Sequence, residues 1–331
     1  MEKICGVNLG GWLVLEKWLT PSVFDNTNAS DEYTLMRTPN AKKRIRAHRN
    51  TFVTEADFRW LANQGINLVR IPVGYWLFEP IDGFDPAVTY LDRAMRWAAT
   101  HNIRVLIDLH GARGSQNGFD SSGRKGAYEW FTNKTYQQET LTLLERIAAR
   151  YKDAPALWGI ELLNEPMPGK RYFVLRRFYR EAYKRLRHIL RPETHIVFHD
   201  AFKAWLYVSV FWPQHRSTAH PLVMDVHWYV SPVNTNSIHA YLRQSAWLRK
   251  IVLSILQLWH PILVGEWSSV LPQPFFDTTT QNKHSELLRR NIIMQQAAHT
   301  GAVGTIYWNY KAEGGGMWNY RSLVETGVFE P

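Results

Sequence analysis

Two glutamates stand where a scattered surface acid would not. Glu165 follows the aliphatic run of GIELLNEP, and Glu266 follows that of ILVGEWSS, 101 residues further on. Paired carboxyl groups flanking one bond are the machinery of glycoside hydrolysis: one protonates the leaving oxygen while the other attacks the anomeric carbon. Other polar side chains close apolar runs in the same way: Arg70, Asp108 and His110, Asn164, His199 and Asp200, His227 and Tyr229, and Trp308. The plainer use of such groups is a buried ion pair, Arg70 with Glu266, that serves only structure. One ion pair does not require Arg70, Asn164, His227, Tyr229 and Trp308 to converge as well.

The runs that must position these residues number eight. β-rich stretches recur at Cys5–Leu9, Ile66–Val73, Arg104–Leu109, Leu157–Leu163, His195–His199, Leu222–Tyr229, Ile262–Trp267 and Val303–Tyr310. Helical periodicity fills most of the intervals. Thr54 with Asp57 opens a helix that Gly65 closes, and Asp85-Pro86 offers an N-cap and first-turn proline to the run through His101. Further helices are predicted over Tyr136–Tyr151, Tyr172–Leu190, Ile238–Trp259 and His284–Thr300. This α/β alternation predicts a single (β/α)8 TIM barrel over residues 1–331, not a doubly wound sheet, because VNLGGW lacks a GxGxxG turn. In such a barrel the chemistry gathers at the C-terminal ends of the strands. Glu165 and Glu266 then end strands four and seven, across the mouth from each other.

With 45% hydrophobic and 21% charged residues over 331 positions, the chain is neither disordered nor collagenous. Its one cysteine, Cys5, excludes an intrachain disulfide and cysteine-built metal clusters. No metal or cofactor is expected. The start MEKICGVNLGG does not read as a signal peptide, and the greasy run from Ile251 to Val264 is broken by His260-Pro261. These features predict a soluble protein of the cytoplasm. Lys and Arg exceed Asp and Glu by ten, and much of the excess sits in Arg171–Arg191, an amphipathic pattern with a cationic outer face. No nucleic-acid motif accompanies that charge, so no nucleic-acid partner is expected. The 15 Trp offer flat faces to the C–H faces of sugar rings. The segment Trp247–Trp259 is apolar on more than one side, which fits buried packing, a membrane surface or a second subunit.

The segments GVNLGGWLVLEKWLTPSVF, NLVRIPVGYW, LIDLHGARGSQNGFDSSG, GIELLNEP, HDAF, DVHWY, VGEWSS and IYWNYKAEGGGMWN stand in one order along the chain. In that order they resemble glycoside hydrolase family 5 of clan A, and within it the fungal exo-β-1,3-glucanases. The resemblance covers essentially the whole chain. It implies a retaining hydrolase acting on a β-glucan or β-glucoside, with Glu165 as acid/base and Glu266 as nucleophile. It further implies that Asn164 holds the sugar 2-hydroxyl and that Arg70 and Tyr229 keep Glu266 ionised and oriented. His110 and His227 would line the same subsite, Trp308 would form its floor, and Glu16 would close the pocket with Asn117 nearby.

Read from the residues alone, Glu16 also fits a helix-start acid, Asn117 a turn former and His110 a satisfied core histidine. His199 and Asp200 read as structural. The chain departs from the resembled enzymes in its single cysteine, in a strand six of Val226-His227-Trp228-Tyr229, and in a short SSVLPQPFFDTTTQNKH loop. Leaving-group preference is therefore open. A β-glucosidase acting on a glucolipid, with peripheral membrane contact, is the alternative; a non-catalytic glycan-binding barrel has no use for both glutamates. The pair is expected to divide its protons, with Glu165 protonated as the acid and Glu266 charged beside Arg70.

Overall fold

The computed structural model describes residues 3–211, 221–229, 237–275 and 281–330. Aliphatic runs that bury both faces cannot sit at a solvent edge, and here they pair into a sheet with none. The strands are β1 (Ile4–Asn8), β2 (Leu68–Gly74), β3 (Arg104–Gly111), β4 (Leu157–Glu161), β5 (His195–His199), β6 (Leu222–Trp228), β7 (Ile262–Trp267) and β8 (Gly304–Tyr307). All pair in parallel, and the order β1 to β8 closes on itself. All seven residues of β2 are buried. The helices are α1 (Glu32–Leu35), α2 (Ala41–Thr51), α3 (Glu55–Asn63), α4 (Val88–Thr100), α5 (Lys134–Tyr151), α6 (Tyr172–Arg187), α7 (Ala204–Tyr207), α8 (Ile238–Leu256), α9 (Gln281–Ala298) and α10 (Tyr320–Glu325). The (β/α)8 barrel expected from the alternation is the fold observed.

The barrel interior is layered by the two-residue period of its strands. One residue from every strand forms an apolar floor: Ile4, Leu68, Leu106, Trp158, Val197, Val223, Leu263 and Ile306. Two positions further along four of those strands the inward side chains become Arg70, Asp108, His199 and Asp225, all fully buried. Two more along β3 and β6 come His110 and His227, at the level of the mouth. Close approach between strands depends on glycine at one point. A Cβ on Gly265 would collide with the carboxylate of Asp225, which instead accepts the Gly265 N–H at 2.6 Å.

Local signals were accurate at some helix ends and overridden at others. Thr54 and Asp57 form the expected capping box of α3. The expected Asp85 cap is not made: α4 begins at Val88 behind Ala87, without a side-chain cap. Asp85 instead takes a two-pronged ion pair from Arg46, at 2.9 and 2.7 Å, which a lone N–H does not match in charge. The sequence periodicity also missed α1 and α2, which sit in the long β1–β2 connection.

Asp57 joins the two ends of the chain. Its Oδ1 meets Lys311 Nζ at 2.5 Å, the Tyr310 hydroxyl at 2.8 Å and Arg321 Nη1 at 3.0 Å. Burial pushes this carboxyl up, but Lys311 and the hydrogen bonds outweigh it and hold the pKa below its usual range. A depressed carboxyl pKa gives stability that is present above the unfolded value and lost as pH falls through the folded one. Asp57→Asn is expected to destabilise by about 1.5–3 kcal/mol at neutral pH. Denaturant titrations should show that gap between wild type and variant closing below about pH 4, the unfolded value; a gap unchanged down to pH 2 would sink the argument.

Candidate active site

The long β1–β2 connection carries Glu16 to the barrel mouth, and a buried ion pair holds it there. Arg49 Nη2 meets Glu32 Oε1 at 2.8 Å with both side chains fully buried, and the other oxygen of Glu32 accepts the Leu15 N–H at 2.9 Å. The backbone beside Glu16 is thereby tied to α1 and α2. Glu16 Oε2 accepts the Trp18 indole N–H at 3.0 Å, and the Trp18 ring meets Trp318 edge-on at 5.2 Å. Burial, and then the neighbouring charge of Asp120, push the Glu16 carboxyl well above its ordinary pKa.

Glu266 lies within β7, next to its end, and is 4% exposed. Arg70 Nη1 reaches its Oε1 at 2.8 Å, and the Tyr229 hydroxyl donates to Oε2. The Arg70 guanidinium is shared, because Nε bonds Glu161 at 2.7 Å and Nη2 bonds Asn164 Oδ1 at 2.8 Å and lies 3.1 Å from Asp108. Glu165 sits four residues beyond the end of β4, with φ of +40°. That left-handed conformation costs a non-glycine residue on the order of 1–3 kcal/mol, and surrounding structure has to impose it. Asn164 alongside is held by its N–H to Leu109 O at 2.9 Å and by Gln116 Nε2 on its carbonyl at 2.9 Å.

His227 joins the two carboxyls. Its Nδ1 lies 2.8 Å from Glu165 Oε1 and 3.3 Å from Glu266 Oε2, and its Nε2 lies 3.4 Å from Asp225 Oδ2. The two legs laid end to end bound the Glu165–Glu266 oxygen separation at about 6.1 Å. That bound falls short of the ~6.5–9.5 Å separation of an inverting pair. Three acceptors around one imidazole favour its charged form, and although burial opposes them His227 is driven well above its usual pKa. Burial also pushes Glu165 up, but the His227 hydrogen bond prevails and holds that carboxyl below its ordinary range. Glu266 goes the other way: burial lifts it against His227 and the divided charge of Arg70. In the unliganded site these directions favour a protonated His227 beside an ionised Glu165, whereas the sequence leads to the expectation of a proton on Glu165.

A cavity of about 170 Å3 opens over this pair. Glu165, Glu266, Asn164, His110 and Tyr229 line it together with Glu16, Trp308, Trp18, Ser121 and Trp318. Trp308 stacks parallel to His110, with ring centres 5.7 Å apart. Its position needs Gly10, where an added Cβ would come within 2.7 Å of the indole. His110 Nδ1 lies 2.6 Å from Asp108, while burial drives the ring down to a pKa of about 3, so it is a neutral imidazole.

Eight of the ten residues singled out from the sequence line the cavity or hold Glu266 directly: Glu16, Arg70, His110, Asn164, Glu165, Tyr229, Glu266 and Trp308. His227 stands behind the carboxyls instead of on the cavity wall. Asn117 is not brought to the wall either. Its Oδ1 accepts the Phe119 N–H at 2.9 Å, the turn-forming role that its residue type allows. Trp18 and Trp318 were missed, although both lie in aromatic segments, EKW and GGGMW, flanking residues already singled out. His199 is buried in the layer below, with Nδ1 accepting the Ala201 N–H at 2.9 Å. Glu165, His199 and His227, and likewise Glu161, Asp225 and His227, bring three ligand-type atoms within 4.8 Å. In the first group His227 Nδ1 bonds Glu165 at 2.8 Å, and in the second Arg70 Nε bonds Glu161 at 2.7 Å. Residues 276–280 of the loop after β7 lie outside the described residues.

Comparison with known proteins gives one consistent picture. The family model described as cellulase (glycosyl hydrolase family 5) matches residues 29–314. A probable glucan 1,3-beta-glucosidase A of Emericella nidulans is 36% identical, over 99% of this chain and 90% of its own length. A glucan 1,3-beta-glucosidase of Yarrowia lipolytica is 33% identical, over 99% of this chain and 88% of its own. Among solved structures, rutinosidase from Aspergillus niger superposes with a TM-score of 0.82, covering 98% of this chain and 97% of that one. At 23% identity that last likeness is one of fold.

Proposed function

The chain belongs to glycoside hydrolase family 5 and is a glycoside hydrolase, and from that premise we propose a retaining exo-β-1,3-glucanase that releases glucose from β-glucans. The observation carrying this reading is the imidazole shared by Glu165 and Glu266, which keeps their oxygens within about 6.1 Å. Retention needs the short separation because one carboxyl must reach the anomeric carbon itself, with no water between. The cavity of about 170 Å3 is smaller than the ~300–1,000 Å3 of sites for larger ligands, and suits one sugar ring.

In the first step a carboxylate oxygen of Glu266 bonds to the anomeric carbon as the glycosidic C–O bond breaks. The departing electron pair stays on the leaving oxygen, which takes a proton from Glu165. Glu165 is supplied by His227 Nδ1, 2.8 Å away, once the arriving glycosidic oxygen competes for that proton. Arg70 and the Tyr229 hydroxyl hold the Glu266 carboxylate in place. In the second step Glu165 takes a proton from water, the water oxygen bonds to the anomeric carbon, and Glu266 leaves. Glucose departs with its β configuration kept; a sugar hydroxyl in place of water gives transglycosylation. Asn164 Oδ1 is fixed by Arg70 and one amide N–H faces His110 Nε2 at 3.4 Å, which leaves the other N–H for the 2-hydroxyl, and Trp308 offers a flat floor.

A second reading, a β-glucosidase acting on a glucolipid, is favoured by the exposure of Phe202 (47%) and Trp205 (57%) just beyond β5. One experiment separates the two: product analysis on laminarin, gentio-oligomers, cello-oligomers and glucosylceramide in parallel. Glucose as the sole product from laminarin supports the exo-glucanase, whereas a ladder of oligomers overturns it.

Glu16→Ala bears on the pocket. If Glu16 pairs sugar hydroxyls, its loss strands them at about 1–3 kcal/mol, so kcat/KM is expected to fall roughly five- to 150-fold. The fall should be the same for every aglycone. A loss that varies with the leaving group would put Glu16 on the wrong side of the scissile bond.

A further inference from the structure

The net charge of +10 is not spread over the molecule. Residues 166–265 hold 14 Lys and Arg against four Asp and Glu, an excess equal to the whole net charge, while the other 231 residues balance at 25 of each sign. Because the strands follow sequence order around the barrel, this stretch makes one sector of its wall, carrying α6, α7 and α8. Of its four acids, Asp200 and Asp225 are buried and Glu181 is paired with Arg185 at 2.7 Å, which leaves Glu193 exposed. The surface of the sector is thus almost purely cationic.

The same sector is unusually apolar. Of the 14 exposed large hydrophobic side chains among the described residues, ten lie between 166 and 265. On α6 the exposed positions Phe173, Arg177, Arg180 and Lys184 fall on one helical stripe, with an aromatic at the end nearest the mouth. Arg176 and Arg180 hydrogen-bond the carbonyls of Leu206 and Val210, at 2.9 and 2.8 Å, which seats Trp205 (57% exposed) and Leu206 (43%) beside that stripe. None of these α6 cations except Arg185 pairs with a carboxylate among the described residues, and positions 212–220 contain no acid. On α8, Trp247, Ile251 and Ile255 recur at helical spacing on the exposed side, and residues 226–265 contain no Asp or Glu.

We propose that this sector docks the enzyme on an anionic lipid bilayer. Headgroup charge satisfies the unpaired Arg and Lys, and the interface takes the Trp, Phe, Ile and Leu side chains that stand between them. Two other occupants fit worse. A second copy of the chain would set one cationic sector against another, and a nucleic acid would leave the α8 stripe in water. No helix among the described residues is long and apolar enough to cross a membrane, so α6 and α8 lie on the surface. Phe173 in the first turn of α6 and Trp205 just after β5 both border the mouth, so docking presents the active site to glucosides on or near the bilayer. The inference does not depend on which β-glucoside the site cleaves.

The test reads partition, not turnover. The full chain is sedimented with vesicles of phosphatidylcholine alone or mixed with phosphatidylserine, over a range of salt. Binding is expected only to the anionic vesicles, and to weaken as salt rises. Reversing Arg177, Arg180 and Lys184 together to Glu should lower the partition by about tenfold or more. Trp205→Ser with Trp247→Ser should lower it several-fold while the charge is unchanged. Both variants should hydrolyse a soluble aryl β-glucoside at the wild-type rate, which also shows that they fold. Failure of the wild type to bind, equal binding to neutral vesicles, or indifference to the charge reversal would overturn the proposal. So would a salt-sensitive affinity for duplex DNA or heparin that matches vesicle binding and ignores the two Trp substitutions, or a dimer in solution buried on α8.

Discussion

Incubation with a 2-deoxy-2-fluoro-β-glucoside bearing a good leaving group is expected to leave one α-linked glucosyl ester, on Glu266 and on no other carboxylate. The fluorine slows both steps by withdrawing electrons from the oxocarbenium-like transition state, and the activated leaving group restores only the first. Geometry selects Glu266: Arg70 at 2.8 Å and the Tyr229 hydroxyl hold its two oxygens, whereas among the described residues the Glu165 carboxyl is hydrogen-bonded by His227 alone. Removing the attacking atom leaves only binding and electrostatics, so Glu266→Gln should lower kcat on the order of 10^5-fold. Mass spectrometry of the digested adduct checks the first expectation and single-turnover kinetics the second. An ester on Glu165, or an α-anomer as the initial product, would remove the retaining mechanism.

Glu165→Gln should split substrates by their leaving group. Loss of a positioned general acid costs about 10^2–10^4-fold in kcat/KM where the leaving oxygen needs a proton, and little where it does not. The pH profile of the wild type follows from the same cluster. Glu266 must be ionised and its pKa is raised, so activity should fail as pH drops through a value above the usual carboxylate range. His227 must be protonated and its pKa is raised as well, so the basic limb should lie above the usual imidazole range. With an activated aryl glucoside, Glu165→Gln should abolish that basic limb, because no proton is then delivered. A limb that persists unchanged in the variant would take Glu165 out of the acid role.

Much of this site is legible in the sequence. Periodicity located all eight strands within a few residues of their observed bounds, since alternation between buried runs and amphipathic helices is a local property. Glu165 and Glu266 announced themselves as charges closing apolar runs, and Trp308, Asn164 and Tyr229 did so in the same way. Two expectations fail for different reasons. The local Asp85-Pro86 signal for a cap gives way to Arg46, 39 positions away. The resemblance puts Asn117 near the pocket, but the turn-forming role that its residue type permits is the one it takes, with Oδ1 on the Phe119 N–H.

Sequence was enough for the barrel, for its family and for the two carboxyls, because burial pattern, strand count and motif order are carried by the chain in one dimension. Where the protons reside could not be read that way. That depends on distances among β2, β4, β6 and β7, which bring Arg70, Glu165, His227 and Glu266 within hydrogen-bonding reach across separations of up to 196 positions. Electrostatic energy falls with distance in space and grows with burial, and neither quantity is written in residue order. The same holds for the basic sector: the charges and the exposed tryptophans are visible as composition, but closure of the barrel is what gathers α6, α7 and α8 onto one face.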